Sequence, residues 1–293
     1  MPSLSVLLVV RNGAPTIEHA VRSILWQSWA DWDLLVLDDG STDDTVAIVR
    51  RLGDARIRLT VDHQRRGLAA RLNEGIALAT GDFIARMDAD DVALPHRLAE
   101  QIGFLESNPS VDVVGGNALI IGDDLALLGA RRLPENHAAI VPGPLGPVYL
   151  MHPTVMARRS WYLRNQYDPA LLGAEDHELF VRAAPASCYA NLPSVVLAYR
   201  ETALRWPKLW RNRRYTMRGI VSLAARRGTP LAAVAPVLTQ LSKAAFEGIA
   251  IPLGLGDVLA RRRRAPATAL ERATWRTLLK QLRAGDAPAP RVS

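Results

Sequence analysis

Before residue 107 this chain repeats one pattern four times: a short apolar run, then a segment whose apolar residues recur at helical spacing. Leu4–Val10 is followed by Ile17, Ala20, Val21, Ile24 and Leu25, with Thr16 placed to cap the helix. Residues 34–37 precede a helix over 45–52, and residues 57–61 one over 68–79. Residues 83–87 precede a helix from about 95 to 106, with Pro95 in its first turn. Strands alternating with helices predict an α/β fold whose mostly parallel sheet is covered on both faces.

From residue 111 the pattern changes. Residues 111–115 and 117–121 read as two short extended runs, and Gly122-Asp123-Asp124 as a turn, so the sheet is expected to become mixed. The Pro/Gly-rich stretch 133–147 fits a mobile loop over a site and equally a plain surface connection. Beyond Trp206 the chain reads as helical and basic. The expected division is a domain over 1–201 and a helical basic extension over 202–293, ending in a frayed Pro/Ala-rich tail.

Two apolar stretches are weighed as targeting or membrane segments. Leu4–Val10 has no basic segment before it and no small-residue cleavage site after it, so a buried strand is expected. Residues 231–255 are interrupted by Gln240, Lys243, Glu247 and two prolines, which favours an interfacial or packed helix over a span of about 20 apolar residues.

The net charge of +7 and a pI near 10.0 call for an anionic partner, and their distribution narrows the choice. Acidic clusters crowd the first half, which speaks against nucleic acid, while basic residues dominate from Arg205 onward, including Arg261 to Arg264. A solvated basic surface and peripheral contact with an anionic membrane both fit, each basic residue near such a membrane being worth about 1 kcal/mol. The single cysteine, Cys188, cannot form an intramolecular disulfide, and a reducing cytoplasm suits the chain.

In a doubly wound sheet, ligands bind beyond the carboxyl ends of the strands. Asp38 and Asp39 follow one predicted strand; Asp88, Asp90 and Asp91 follow another. Asp43 or Asp44 is better read as a helix cap. Three carboxylates within four positions repel one another unless a cation or donor is near. Mg²⁺ or Mn²⁺, which takes oxygen ligands from one or two carboxylates together with phosphate oxygens, fits that need.

At these positions the sequence resembles glycosyltransferase family 2, from about residue 3 to 199. The resemblance is carried by Ser5-Val6-Leu7-Leu8-Val9-Val10-Arg11-Asn12-Gly13, by Asp38-Asp39-Gly40-Ser41-Thr42-Asp43, by Gly67 to Gly75 with Arg71 and Asn73, by Asp88-Ala89-Asp90-Asp91, and by Glu175-Asp176. It implies a GT-A (Rossmann-like) fold, a nucleoside-diphosphate sugar donor and inversion at the anomeric carbon. It further implies Asp39 at the nucleobase, Arg71 beside the nucleotide, Asp88 near ribose and metal, and Asp90 on the metal. Arg11 and Asn12 are expected to line the nucleotide pocket.

The Glu175-Asp176 pair opens a predicted helix and matches the family's catalytic acids, with Asp176 expected as general base. Acids at a helix N-terminus are also favoured by electrostatics alone. His177 reads as a surface helix residue, and His152 either faces acceptor or donor phosphate or is structural. Trp206 and Trp210 stand at helical spacing and read as core.

Uridine diphosphate is the default donor nucleotide, with a saccharide or lipid-linked hydroxyl as acceptor in surface polysaccharide or glycolipid synthesis, at the cytoplasmic face of the membrane. Two alternatives are set beside it. Asp88-Ala89-Asp90-Asp91-Val92 satisfies the D-x-D-x-V of haloacid dehalogenase-type phosphatases, but it follows the fourth strand and no lysine precedes Lys208. A non-catalytic nucleotide-sugar-binding module would not need Asp88, Asp90 and Asp176 together.

Overall fold

The computed structural model describes residues 2–171 and 173–285. The first four strands, β1 (Leu4–Val10), β2 (Trp32–Asp39), β3 (Ile57–Asp62) and β4 (Phe83–Asp88), lie parallel in the order β3-β2-β1-β4. Helices α1 (Ile17–Leu25), α2 (Thr45–Leu52), α3 (Leu68–Leu78) and α4 (Arg97–Ser107) alternate with them. The pleat divides the apolar runs between two cores: Val6, Leu8, Leu34 and Val36 join one with α1 and α4, whereas Leu7, Leu35 and Leu37 join the other with α3. Each such side chain contributes about 1.5–3 kcal/mol by leaving water.

The remaining strands are β5 (Val92–Ala93), β6 (Val113–Ile121), β7 (Leu127–Arg131), β8 (Met156–Arg158) and β9 (Tyr189–Arg200). They extend the sheet to β3-β2-β1-β4-β8-β6-β9-β5, with β7 on β6. β8 runs antiparallel to β4 and β6, so the sheet is mixed as expected. The smaller helices are α5 (His137–Ile140), α6 (Arg159–Arg164) and α7 (Glu175–Ala183).

Several local expectations are corrected. Residues 111–115 and 117–121 are not two runs: β6 is one strand, and the break shows only as register shifts against β9 around Asn117. Helix α4 starts at Arg97, after Pro95 and His96. Thr16 holds the cap position of α1 without a side-chain bond to the helix; its Oγ1 donates instead to Gly13 O. Asp38 and Asp39 lie inside β2, because β3 pairs with them as Val61 and Asp62.

After residue 201 come α8 (Trp206–Arg226), α9 (Val234–Ala250), α10 (Gly256–Arg262) and α11 (Ala269–Ala284). α11 starts with a capping box of Thr268 and Glu271 and lays Trp275, Leu278 and Leu282 against Leu119, Ile121 and Val195 of the sheet. Glu247 of α9 is buried and binds Arg213 of α8 through two bonds of 2.7 and 2.6 Å. No helix among the described residues is long and apolar enough to cross a membrane. The frayed Pro/Ala-rich tail expected for the last residues, 286–293, lies outside the described residues.

Candidate functional site

Strand order reverses between β1 and β4, which makes the carboxyl ends of these strands a topological switch point. Register puts the predicted residues there together: Val9 is opposite Asp88, and Val10 is opposite Asp38. Helix α3 can close on the sheet beneath them because position 75 is glycine; a Cβ there would stand 2.9 Å from a Leu37 methyl.

The first loop is braced rather than open. Asn12 adopts φ 53°, its N–H donates to Ser41 Oγ at 2.9 Å, and its Oδ1 accepts from Thr42 N at 2.8 Å. Asp43, not Asp44, ties this region, accepting from Ala14 N and Thr45 N at 3.1 Å each. Arg11 beside it is exposed.

Asp39 and Arg71 form one unit. Asp39 Oδ1 accepts from Arg66 N at 2.7 Å and from Arg71 Nε at 3.1 Å, while Oδ2 accepts from Gly67 N at 3.0 Å. The rest of the Arg71 guanidinium meets Asp62 at 2.7 Å and Glu74 at 2.8 Å, and the side chain is 1% exposed. The Arg71 donors are thus taken up by carboxylates, and Asp39 is the one of these that stands at the end of β2. Asp39 Oδ2 keeps capacity for a further donor.

The next turn gathers Asp88, Asp90 and Asp91, each able to offer an oxygen within 4.8 Å of the others. Solvent reaches Asp90, yet protein surrounds most of its carboxyl; that desolvation, then the charge of Asp88, raises its pKa. Asp91 is buried, and burial first, then Asp88 and Asp90, push its carboxyl well above the usual range. Its Oδ1 accepts from Arg200 N at 2.9 Å. Arg200 Nε donates to Asp90 O at 2.9 Å, which fixes the turn to β9. A group of three such crowded carboxylates could hold a hard divalent cation.

Arg86 lies under this cluster. It sits on β4 two residues before Asp88, so both side chains leave the same face, and Arg86 Nη2 donates to Asp88 Oδ1. Arg86 is buried, with Nε and Nη1 lacking a protein partner. Its charge partly offsets the burial that raises the carboxyl pKa values of Asp90, Asp91 and Glu175. The sequence reading missed Arg86, although a lone arginine in the apolar run 83–87 was a visible signal.

Glu175 and Asp176 open α7. Glu175 is buried, its Oε2 has no protein partner, and burial raises its pKa. Asp176 is half-buried and accepts from His177 N at 2.7 Å. Asn73 holds the approach to this helix, donating to Tyr167 O and accepting from Tyr167 N, both at 2.9 Å. Gly173, at φ +73°, lets Tyr215 of α8 pack on the same turn; a Cβ there would stand 2.2 Å from the ring.

His152 is structural: it is buried, stands 2.7 Å from the Tyr167 hydroxyl, and burial followed by Arg86 pushes its pKa well below the ordinary value. His177 Nε2 donates to Gly146 O at 3.0 Å, which ties the 133–147 loop to α7. Trp206 and Trp210 stack on each other, with Trp206 against Gly248 of α9.

The family model for Glycosyl transferase family 2 matches residues 5–163. Among curated proteins, the Putative glycosyltransferase EpsE of Bacillus subtilis is 38% identical over 167 residues, 55% of this chain and 58% of that protein. The UDP-Glc:alpha-D-GlcNAc-diphosphoundecaprenol beta-1,3-glucosyltransferase WfgD of Escherichia coli is 34% identical over 132 residues, 45% of this chain and 51% of that protein. The chain thus spans less than two thirds of the length of these relatives. Among solved structures, S. aureus TarS in complex with UDP-GlcNAc superposes at a TM-score of 0.61 and 18% identity, covering 98% of this chain and 82% of that one. The mannosyltransferase PcManGT of Pyrobaculum calidifontis, in complex with GDP-Man and Mn²⁺, gives 0.58 and 21%, covering 97% and 85%. At these identities the likeness establishes the fold: the expected GT-A sheet, mixed and mainly parallel, with a helical C-terminal region.

Proposed function

The chain belongs to glycosyl transferase family 2, and from that premise we propose that it is a glycosyltransferase that transfers a hexose from a nucleoside-diphosphate sugar to a hydroxyl acceptor with inversion. The observation that carries this reading is the cluster of Asp88, Asp90 and Asp91 at the end of β4, with oxygens within 4.8 Å of one another and Arg86 bonded to Asp88, in a chain whose α7 opens with a second acidic pair, Glu175 and Asp176. Such a layout provides separate places for charge leaving a donor and a proton leaving an acceptor.

In this reading Asp39, held by Arg71, accepts a donor N–H of the nucleobase through Oδ2. Arg11 and Asn12 flank the nucleotide, and Asp88, oriented by Arg86, takes the ribose. A divalent cation, Mn²⁺ or Mg²⁺, held by Asp90 and Asp88 would supply counter-charge to the departing diphosphate. Asp176 accepts the acceptor's hydroxyl proton as the new bond to the anomeric carbon forms and the bond to the diphosphate breaks. Glu175, kept protonated more readily by burial, orients the first turn of α7.

We assign this chemistry to residues 1–201 and an accessory role to 202–293. The donor nucleotide is uridine diphosphate in our reading, which the UDP-GlcNAc complex of TarS supports. The acceptor is a saccharide or lipid-linked hydroxyl met at the cytoplasmic membrane face in surface polysaccharide or glycolipid synthesis, in keeping with the diphosphoundecaprenol substrate in the name of WfgD. The phosphatase alternative is not favoured, since the family match spans the Asp88-Ala89-Asp90-Asp91 motif.

Calorimetric titration with a panel of nucleoside diphosphates, each with and without Mn²⁺ or Mg²⁺, tests the proposal. Metal-dependent binding of one diphosphate is expected. A folded protein that binds none of them refutes the donor assignment.

A further inference from the structure

Helix α9 carries on its outer side a row of apolar residues that nothing among the described residues covers. Val234, Leu238, Leu241, Ala245 and Ile249 recur every three or four residues, so they share one side of the helix, and all are exposed. Leu238 is 58% exposed and Ile249 67%, and the row continues with Leu231 at 84% before the helix and Leu253 at 70% after it. The packing side is elsewhere: Ala244 and Glu247 are buried, and Gln240 and Glu247 both bind Arg213 of α8. A contiguous apolar surface of this kind marks an interaction site.

Charge decides what the site receives. Residues 202–293 hold eighteen Lys and Arg against four Asp and Glu, whereas residues 1–201 hold eighteen against twenty-five. Arg211, Arg214 and Arg218 are exposed at successive turns of α8, which packs on α9; Lys243 and, on α10, Arg261 and Arg262 are exposed as well. Nucleic acid would match the arginines and leave the leucines in water. A second copy would match the leucines and bring a like-charged surface against this one. A bilayer with anionic headgroups matches both, taking the apolar row at the acyl boundary and the arginines at the phosphates.

We propose that α9 is a membrane-docking helix, lying in the plane of an anionic lipid surface with Val234, Leu238, Leu241 and Ile249 inserted. The docking stands on this row and this charge, whatever the site transfers. Its consequence for the acceptor rests on the transferase reading: α8 packs on α9 and also on α7, where Tyr215 meets Gly173, so it couples the docked face to the turn bearing Glu175 and Asp176.

The test is co-sedimentation of the full chain with vesicles of phosphatidylcholine alone and of phosphatidylcholine with about a third phosphatidylglycerol. Binding to the anionic vesicles only is expected. The double variant Leu238→Gln, Ile249→Gln is expected to bind about ten-fold more weakly or worse, with circular dichroism and nucleoside-diphosphate titration unchanged. A second variant, Arg211→Gln with Arg214→Gln, is expected to weaken binding and reduce its salt sensitivity. Wild-type protein that ignores anionic vesicles, or a Leu238→Gln, Ile249→Gln variant that binds as wild type does, overturns the proposal. So does a wild-type dimer in sedimentation equilibrium that this variant makes monomeric, since the row would then be an interface between copies. Vesicle binding without any nucleotide binding would instead remove the transferase reading and leave the docking helix standing.

Discussion

Arg71 Nε meets Asp39 Oδ1 at 3.1 Å, joining the second turn of α3 to the end of β2, and both side chains are almost wholly out of water. Removing one partner of such a pair leaves a buried charge uncompensated, at a cost of about 3–5 kcal/mol. Arg71→Met is therefore expected to lower stability by that order in urea unfolding, with Asp62 and Glu74 also losing their cation. Asp39→Asn should fold more nearly as wild type and weaken diphosphate binding by about ten-fold or more. Unchanged affinity in calorimetry would take Asp39 out of the nucleotide site.

Asp176 and Asp90 should separate in their effects. A base acts on the acceptor in the transition state, so Asp176→Asn is expected to lower kcat by about 10²–10⁴-fold with donor affinity nearly unchanged. Asp90→Ala should instead remove the metal dependence of donor binding. Steady-state kinetics beside a metal titration distinguish the two, and normal turnover in Asp176→Asn would end its assignment as base.

Gly173 has no room for a side chain. Its φ of +73° disfavours any Cβ, and that atom would enter the Tyr215 ring. Gly173→Ala is expected to displace the turn that carries Glu175 and Asp176 and to lower kcat more than donor affinity. Adding Tyr215→Ala relieves the clash, though not the backbone strain, so partial recovery of kcat is expected. No recovery would show that the effect lies in the backbone alone.

Glu247 links α8, α9 and the end of α10 through Arg213 and Arg263. Burial pushes its pKa up, but the bonds from Arg213 and Arg263 outweigh this and hold it below the ordinary 4.5. A lowered folded-state pKa means the contribution is full above the unfolded value and disappears as pH falls through the folded one. Glu247→Gln should cost toward the lower end of about 3–5 kcal/mol near neutral pH, because solvent reaches Arg263. The gap between variant and wild type in urea unfolding should close as pH falls below the ordinary glutamate value and through the lowered folded-state one. A gap that stays constant with pH would assign the effect to packing.

The sequence by itself determined the alternating α/β half and the edge on which its acids fall. Continuous apolar runs followed by residues at helical spacing bury well only as strands covered by helices, and that period is local information. Asp39, Asp88 and Asp90 were legible for the same reason, each standing at the end of a readable strand. Tertiary structure decided what those residues meet. The pairing of Asp39 with Arg71 spans 32 positions and that of Asp91 with Arg200 spans 109, and no periodicity encodes such contacts. Arg86 stood out in the sequence as a lone arginine in an apolar run, but its partner was decided only when the pleat put it beside Asp88. The single strand β6 emerged because β9 pairs along it across the glycines that had read as a break. The outer row of α9 was likewise decided in three dimensions, since apolar residues at helical spacing promise a buried face, and only the packed chain shows which face stays in water.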